Sequence, residues 1–252
     1  MKHAFLLAAA LALSASATHA ADSTSNWYQR LGVDVVKGSG NVQTEKRAVA
    51  PFEAIVLADS MTVAVRQTGR EVVEVRADDN LLPLIETRVV DRVGVPTLQI
   101  SLKKGTGYST RTHVVVHVEV ARLSGLTVSG SGDLEADGLQ SAALKVSVSG
   151  SGDVKLRQVV ADDLSLRISG SGDIHADGRS TKLGIAIAGS GDVDSRALEA
   201  DEVKINIAGS GDASVAARKA LSISIAGSGD VTYTGDAVPK TSVVGSGTVT
   251  RR

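Results

Sequence analysis

The chain has 252 residues, a formal net charge of −1, only 2% aromatic residues and no cysteine. The absence of cysteine excludes a disulfide framework, a lipoprotein anchor, a thiolate zinc site and a cysteine nucleophile. A net charge this close to zero gives no indication of nucleic acid or an anionic membrane surface as a partner.

Residues 1–20 have the three-part layout of a secretory signal peptide. Lys2 is followed by an apolar run from Ala4 to Leu13 and by small residues that end at Ala20. The run is about half of the roughly 20 residues that span a bilayer, so we predict cleavage and export to the periplasm or the cell exterior. Removing Lys2 leaves 26 basic and 28 acidic residues, a net charge of −2, and no membrane insertion of the mature chain is expected.

The next two segments lack the regular repeat found further along. Residues 21–46 form a polar N-terminal segment that contains Gly38-Ser39-Gly40-Asn41, and residues 47–122 form a β-rich N-terminal part. Strand-like runs begin there at Met61, Glu71, Leu98 and His113. The turn signals between them are glycines, at Gly69, Gly94, Gly105 and Gly107. We expect this part to pack on the first coil of the repeat region and to cap its open end, because a solenoid end exposes unpaired strand edges.

Residues 123–252 repeat a short Gly-Ser-Gly-Asp motif, whose first glycine we call the marker. The markers are Gly130, Gly150, Gly170, Gly189, Gly209, Gly227 and Gly245. Successive marker numbers differ by 20, 20, 19, 20, 18 and 18. A period of about 20 residues is typical of a solenoid, in which one coil cannot bury its apolar face alone.

The residues before each marker alternate between apolar and small or polar side chains, as in Leu183-Gly184-Ile185-Ala186-Ile187. This period of two predicts strands with one buried face. The same parity places the glycines and Val154 inward and Ser151 and Asp153 outward. Glycine is expected because an inward Cβ would meet the opposite wall, or because the chain turns with positive φ. Identical coils in register predict an all-β fold, a right-handed parallel β-helix of about seven coils.

Three features together resemble the head GIN domain family of autotransporter adhesins. They are the repeated Gly-Ser-Gly-Asp motif, Phe52-Glu53-Ala54-Ile55 and Ala77-Asp78-Asp79-Asn80-Leu81-Leu82. The resemblance covers roughly residues 47–250 and implies an exported β-helical domain without an established function. It suggests an adhesin-like role by analogy of fold.

The sequence gives little indication of catalysis. His113 and His117 are four residues apart along a predicted strand, about 13 Å, which is too far for both to bind one metal ion. Ser151 and its repeats are outward and equivalent, whereas a nucleophile needs one activated copy. We therefore predict no catalytic residue and no cofactor. The alternative is a carbohydrate-active β-helix enzyme, a polysaccharide lyase or hydrolase, although aromatic platforms for sugar rings are scarce.

An aspartate ends each of the first six motifs, and these residues should form a column along the solenoid: Asp133, Asp153, Asp173, Asp192, Asp212 and Asp230. Carboxylates about 4.8 Å apart repel by about 0.9 kcal/mol per pair even at the dielectric constant of water. Hydrogen bonds from backbone N–H groups of the glycine turns are the favoured compensation, and a row of calcium ions is the alternative. The overall prediction is a non-enzymatic exported module that presents a repetitive face to an envelope or extracellular protein or polysaccharide.

Overall fold

The computed structural model describes residues 33–252, so the predicted signal peptide and residues 21–32 lie outside the described residues. Within this range the fold is all-β, with one 3₁₀ turn at Leu82–Leu84. None of its helices is long and apolar enough to cross a membrane. The first ten strands are β1 Asp34–Lys37, β2 Val42–Arg47, β3 Ala54–Leu57, β4 Thr62–Gln67, β5 Val72–Asp78, β6 Ile85–Arg92, β7 Val95–Leu102, β8 Thr106–Ser109, β9 Val115–Val120 and β10 Gly125–Gly130. The others are β11 Asp133–Asp137, β12 Gln140–Gly150, β13 Val154–Gly170, β14 Ile174–Gly189, β15 Val193–Gly209, β16 Ala213–Gly227, β17 Val231–Thr234, β18 Pro239–Gly245 and β19 Val249–Arg251.

The repeat region forms a parallel β-solenoid, as predicted. The segments before the markers pair in register from β10 through β12, β13, β14, β15 and β16 to β18, with marker paired to marker at every step. We call this stack the marker ladder. A second ladder joins the segments after the markers, from β11 to β19. Seven markers bound only six intervals, so the solenoid makes about six turns and the predicted count of seven coils was slightly high.

Buried aliphatic columns hold the coils together. Val148, Ile168, Ile187, Ile207 and Ile225 succeed one another in register, and each is at most 2% exposed. The inward positions after the motif are also confirmed, since they are at most 1% exposed: Val154, Ile174, Val193, Ala213 and Val231. Burial of one such side chain contributes about 1.5–3 kcal/mol, so the columns supply the cohesion that the missing disulfides cannot.

The glycines let successive coils approach closely. Gly150 has a φ of +128°, and a Cβ added there would meet the carbonyl oxygen of Gly130 in the preceding coil. A Cβ on Gly152 would meet the carbonyl oxygen of Gly132 in the same way. The two coils are held this close by hydrogen bonds, since the Gly130 oxygen accepts the N–H groups of Ser151 at 2.9 Å and Gly152 at 3.0 Å. Positive φ was therefore predicted correctly for the first glycine, but the obstacle is the neighbouring coil and not the opposite wall.

Antiparallel strands close the N-terminal end of the solenoid. β3 and β4 pair in parallel with β10 and β11, and β7 and β9 lie one coil further out. Beyond them β6 pairs antiparallel with β7, β5 with β9, and β2 with β5. These pairings agree with the expected capping role, because they occupy edges that the parallel ladders leave open. Gly107, predicted as a turn, instead lies within β8, which pairs in parallel with β1.

Candidate binding surfaces

The predicted aspartates do form a column at the corner between the two ladders. The carboxylate Oδ1 of Asp153 accepts the backbone N–H of Asp173 at 3.0 Å, and Asp173 accepts that of Asp192 at 2.9 Å. Asp192 and Asp212 continue the series at 2.7 Å each. These four carboxylates thus receive a backbone N–H from the aspartate one coil further on and not from a glycine of their own turn. Asp133, the first aspartate of the column, lies outside this series of bonds.

The column ends at a threonine. Thr248 occupies the aspartate position of the last motif, and both its N–H and its hydroxyl donate to Oδ1 of Asp230 at 2.8 Å. The hydroxyl bond, followed by the backbone bond, holds the pKa of Asp230 below its ordinary value. The column is therefore a relay of hydrogen bonds between coils. Across residues 33–252, no cluster of three or more histidine and acidic side chains has a metal-binding arrangement.

The other predicted candidates are exposed and separate. His117 lies on β9, whereas His113 precedes that strand, and both side chains face solvent beside the buried Val114 and Val116. Ser151 and its repeats are exposed at the corner of each coil. The structure does not bring the histidines and the motif serines together into one site. His175, on the second ladder, lies near Asp194 and is considered further below.

The outward side of the marker ladder, which we call the marker face, is the most regular surface of the solenoid. Two columns of mostly small side chains run along it in register. The first is Ser129, Ser149, Ser169, Ala188, Ala208 and Ala226, and the second is Thr127, Ser147, Arg167, Ala186, Asn206 and Ser224. A shallow groove of about 570 Å³ follows the columns from Ser147 to Ala226. Five coils about 4.8 Å apart give the groove a length of about 19 Å.

A polar clasp fixes the N-terminal part. The side chain of Asp78 is fully buried, and its two oxygens accept hydrogen bonds from the hydroxyls of Thr112 at 2.6 Å and Thr110 at 2.7 Å. The bond from Thr112 is the largest cause of a pKa below the ordinary value for this carboxyl. Asp79 binds the side chains of Ser39 and Asn41. The Gly38-Ser39-Gly40-Asn41 segment, which resembles the repeat motif, thus contacts the Asp78-Asp79-Asn80 segment. Neither segment indicated this contact by its sequence alone.

Comparison with known proteins connects this architecture to one family. The family model described as "Putative auto-transporter adhesin, head GIN domain" matches residues 51–237. A "putative adhesin" from Bacteroides fragilis has a TM-score of 0.74 at 22% identity, covering 86% of this chain and 100% of its own. A "putative adhesin" from Parabacteroides merdae has a TM-score of 0.73 at 25% identity, covering 87% and 100%. A "putative lipid binding protein" from Parabacteroides distasonis has a TM-score of 0.67 at 25% identity, covering 87% and 100%. No curated protein matches the chain.

Proposed function

The chain belongs to the head GIN domain family, and we propose that it is an exported, non-enzymatic, adhesin-like module whose marker face binds a cell-envelope or extracellular partner. The partner is a protein or a polysaccharide with repeated contact groups. The observation that carries the proposal is the in-register pair of outward columns along the groove.

The groove suits adhesion because it offers a similar shallow contact, made mostly of small side chains, on several coils. Ser169, Ala188 and Ala208 leave little bulk above the sheet, so an extended chain can approach the backbone over several coils. Each contact is weak, but contacts along one polymer act together because the first raises the effective concentration for the next. Affinity should therefore increase with the length of the ligand up to the length of the groove.

The same surface argues against the alternative of a polysaccharide lyase or hydrolase. Such chemistry uses a specific pair of acid and base groups at the scissile bond. The groove carries one charged side chain, Arg167, among small and amide side chains. The nearby aspartates are near-equivalent copies whose Oδ1 atoms are already engaged by backbone N–H groups. Binding without turnover is the better match to this composition.

The proposal is tested by obstructing the groove with a bulky side chain. Ala188→Arg places a long side chain at its centre, and Thr181→Arg adds the same side chain at an exposed position outside it. Mature wild-type protein and both variants are used for pull-down from envelope extract and on a glycan array. We expect Ala188→Arg to lose the captured partner and Thr181→Arg to retain it. Equal capture by all three proteins would refute the assignment of the marker face.

Two further measurements address the competing functions. Incubation with acidic and neutral polysaccharides should release no shorter products, and turnover abolished by a single substitution on the solenoid would establish an enzyme. Because one similar structure is described as lipid binding, vesicle flotation is the second measurement. The interior between the ladders is filled by aliphatic side chains, so lipid binding would have to use the outer surface.

A further inference from the structure

A recess interrupts the second ladder where one coil is shorter than its neighbours. The interval from Gly170 to Gly189 is one residue shorter than the interval on either side of it. The difference lies at the corner after the second ladder. Two residues, Arg157 and Gln158, separate consecutive paired positions in one coil, whereas the next coil has only Asp177 there. The following coil again has an additional residue there, Arg196. The short corner is thus set back between two longer ones. We call this recess of about 280 Å³ the notch.

Charged side chains dominate the lining of the notch. Lys155, Arg157 and Arg196 contribute three positive charges, and Asp177 and Asp194 contribute two negative charges. The sum over these lining residues is +1 with His175 neutral, and Glu135 of the preceding coil, 3.8 Å from Lys155 and Arg157, offsets that charge. The side chains of the three cations are about half exposed, at 51%, 57% and 52%, so a ligand in the notch can reach them.

The charges of the notch are not equally free to bind a ligand. Both oxygens of Asp194 are held by Arg196, with Nε 2.9 Å from Oδ1. This pairing lowers the pKa of Asp194, so the carboxylate stays ionised. Oδ1 of Asp177 accepts the N–H of Gln158 at 2.6 Å, which supports a residue with a φ of +53°.

Two cations remain loosely engaged. Lys155 and Arg157 each lie 3.8 Å from the carboxylate of Glu135 in the preceding coil, beyond hydrogen-bond distance. His175 adds a ring nitrogen 4.0 Å from Asp194, also too far for a hydrogen bond. The notch therefore offers cations that make no hydrogen bond in the structure, beside carboxylates that still have lone pairs. A ligand that satisfies both carries an acid group together with hydrogen-bond donors such as hydroxyl groups.

We propose that the notch binds one hexuronic acid unit of an acidic saccharide. Arg157 and Lys155 donate to the sugar carboxylate, for which guanidinium and ammonium groups form short charge-assisted bonds. The free oxygen of Asp177 accepts a ring hydroxyl. An acidic peptide would supply the carboxylate but no ring hydroxyl, so only its backbone N–H groups could donate to that oxygen. The cavity is large enough for a single sugar ring and is open to solvent on one side.

The notch is a different site from the groove. The residues that line the two concavities do not overlap, because the groove lies on the marker ladder and the notch lies at the corner beyond the second ladder. Loss of function at one site should therefore leave the other intact. The hexuronate proposal does not depend on the identity of the partner that binds the marker face.

Isothermal titration of the mature protein with trigalacturonate at physiological salt tests the proposal. Wild type is expected to bind, and Arg157→Gln is expected to bind at least ten-fold more weakly. Arg66→Gln, which removes an exposed arginine of β4 that lines neither concavity, is the matched control and should change the affinity less than two-fold. The neutral trimer galactotriose and the peptide triglutamate should each bind at least ten-fold more weakly than trigalacturonate.

Several outcomes would overturn the proposal. Absence of trigalacturonate binding at millimolar concentration would exclude the site. Equal weakening by Arg157→Gln and Arg66→Gln would indicate non-specific attraction to positive charge. Equal affinity for galactotriose would exclude carboxylate recognition, and equal affinity for triglutamate would exclude recognition of the sugar.

Discussion

Substitution of Gly172 by alanine tests whether the second glycine of the motif is required by the close packing of neighbouring coils. Gly172 is the second glycine of its motif and does not have a positive φ, so alanine introduces no backbone strain of its own. Its new Cβ would lie closer than 3.0 Å to the carbonyl oxygen of Gly152 and 2.9 Å from Cγ1 of Val148, distances that real Cβ atoms essentially never show. Neither obstacle can rotate away freely, because one is backbone and the other is buried. The two coils must therefore move apart at this corner.

The cost follows from the hydrogen bonds that span this corner. The oxygen of Gly150 accepts N–H groups at 2.8 and 3.2 Å, and Asp153 accepts the N–H of Asp173 at 3.0 Å. Loss of three such bonds at about 1 kcal/mol each gives a destabilisation of about 3 kcal/mol. For a chain of this size that lowers the melting temperature by about 6–12 °C in a thermal unfolding scan.

The neighbouring serine provides the control for this experiment. Ser171→Ala removes an exposed hydroxyl in the same turn and retains its backbone N–H bond to Gly150 at 2.8 Å, so its melting temperature should stay close to that of wild type. Similar melting temperatures for Gly172→Ala and Ser171→Ala would refute the argument that the second glycine is required by the neighbouring coil.

Two further predictions concern the carboxylates. Asp173→Ala should cost about 1 kcal/mol because the N–H of Asp192 loses its acceptor, whereas Asp173→Asn should cost less, and calcium should stabilise wild type no more than sodium at equal ionic strength. A calcium-specific rise in melting temperature would favour a cation column. Because the pKa of Asp78 is lowered in the folded state, its ionised form should stabilise the protein above about pH 4 and lose this effect as the pH falls through the folded pKa. The stability difference between wild type and Asp78→Asn should then decrease in acid, and a difference independent of pH would contradict the clasp.

The residues that face the interior could be predicted because their position depends only on the alternation of side chains along each strand. A strict period of two places Ile187 inward and Ala188 outward wherever the strand is paired, and the repeat period places each residue beside its own copy. Positive φ at the markers was also predictable, since few other residues adopt that backbone conformation.

Contacts between different coils could not be predicted in the same way. The sequence showed which aspartates stack, but the identity of the hydrogen-bond donor depends on how far one coil is displaced along its neighbour. The antiparallel closure by β2, β5 and β6 was also out of reach, because alternation shows which face of a strand is buried and not which strand pairs with it. In the sequence, the only sign of the notch is one interval that is a single residue shorter than its neighbours. The interval length does not tell at which corner of the coil that residue is missing.

These differences indicate where the specificity of the molecule is encoded. The inward aliphatic columns and the glycines are fixed by packing between coils, so they must repeat whatever the protein binds. Outward positions away from the aspartate column carry no such constraint, and there the copies differ: Ser169 is followed in register by Ala188, and Lys155 by His175 and Asp194. A module that only needed to be a stable rod would gain nothing from those particular departures. The non-repeating outward residues are therefore where substitutions should change binding without changing stability, and the paired variants at the groove and the notch measure that separation directly.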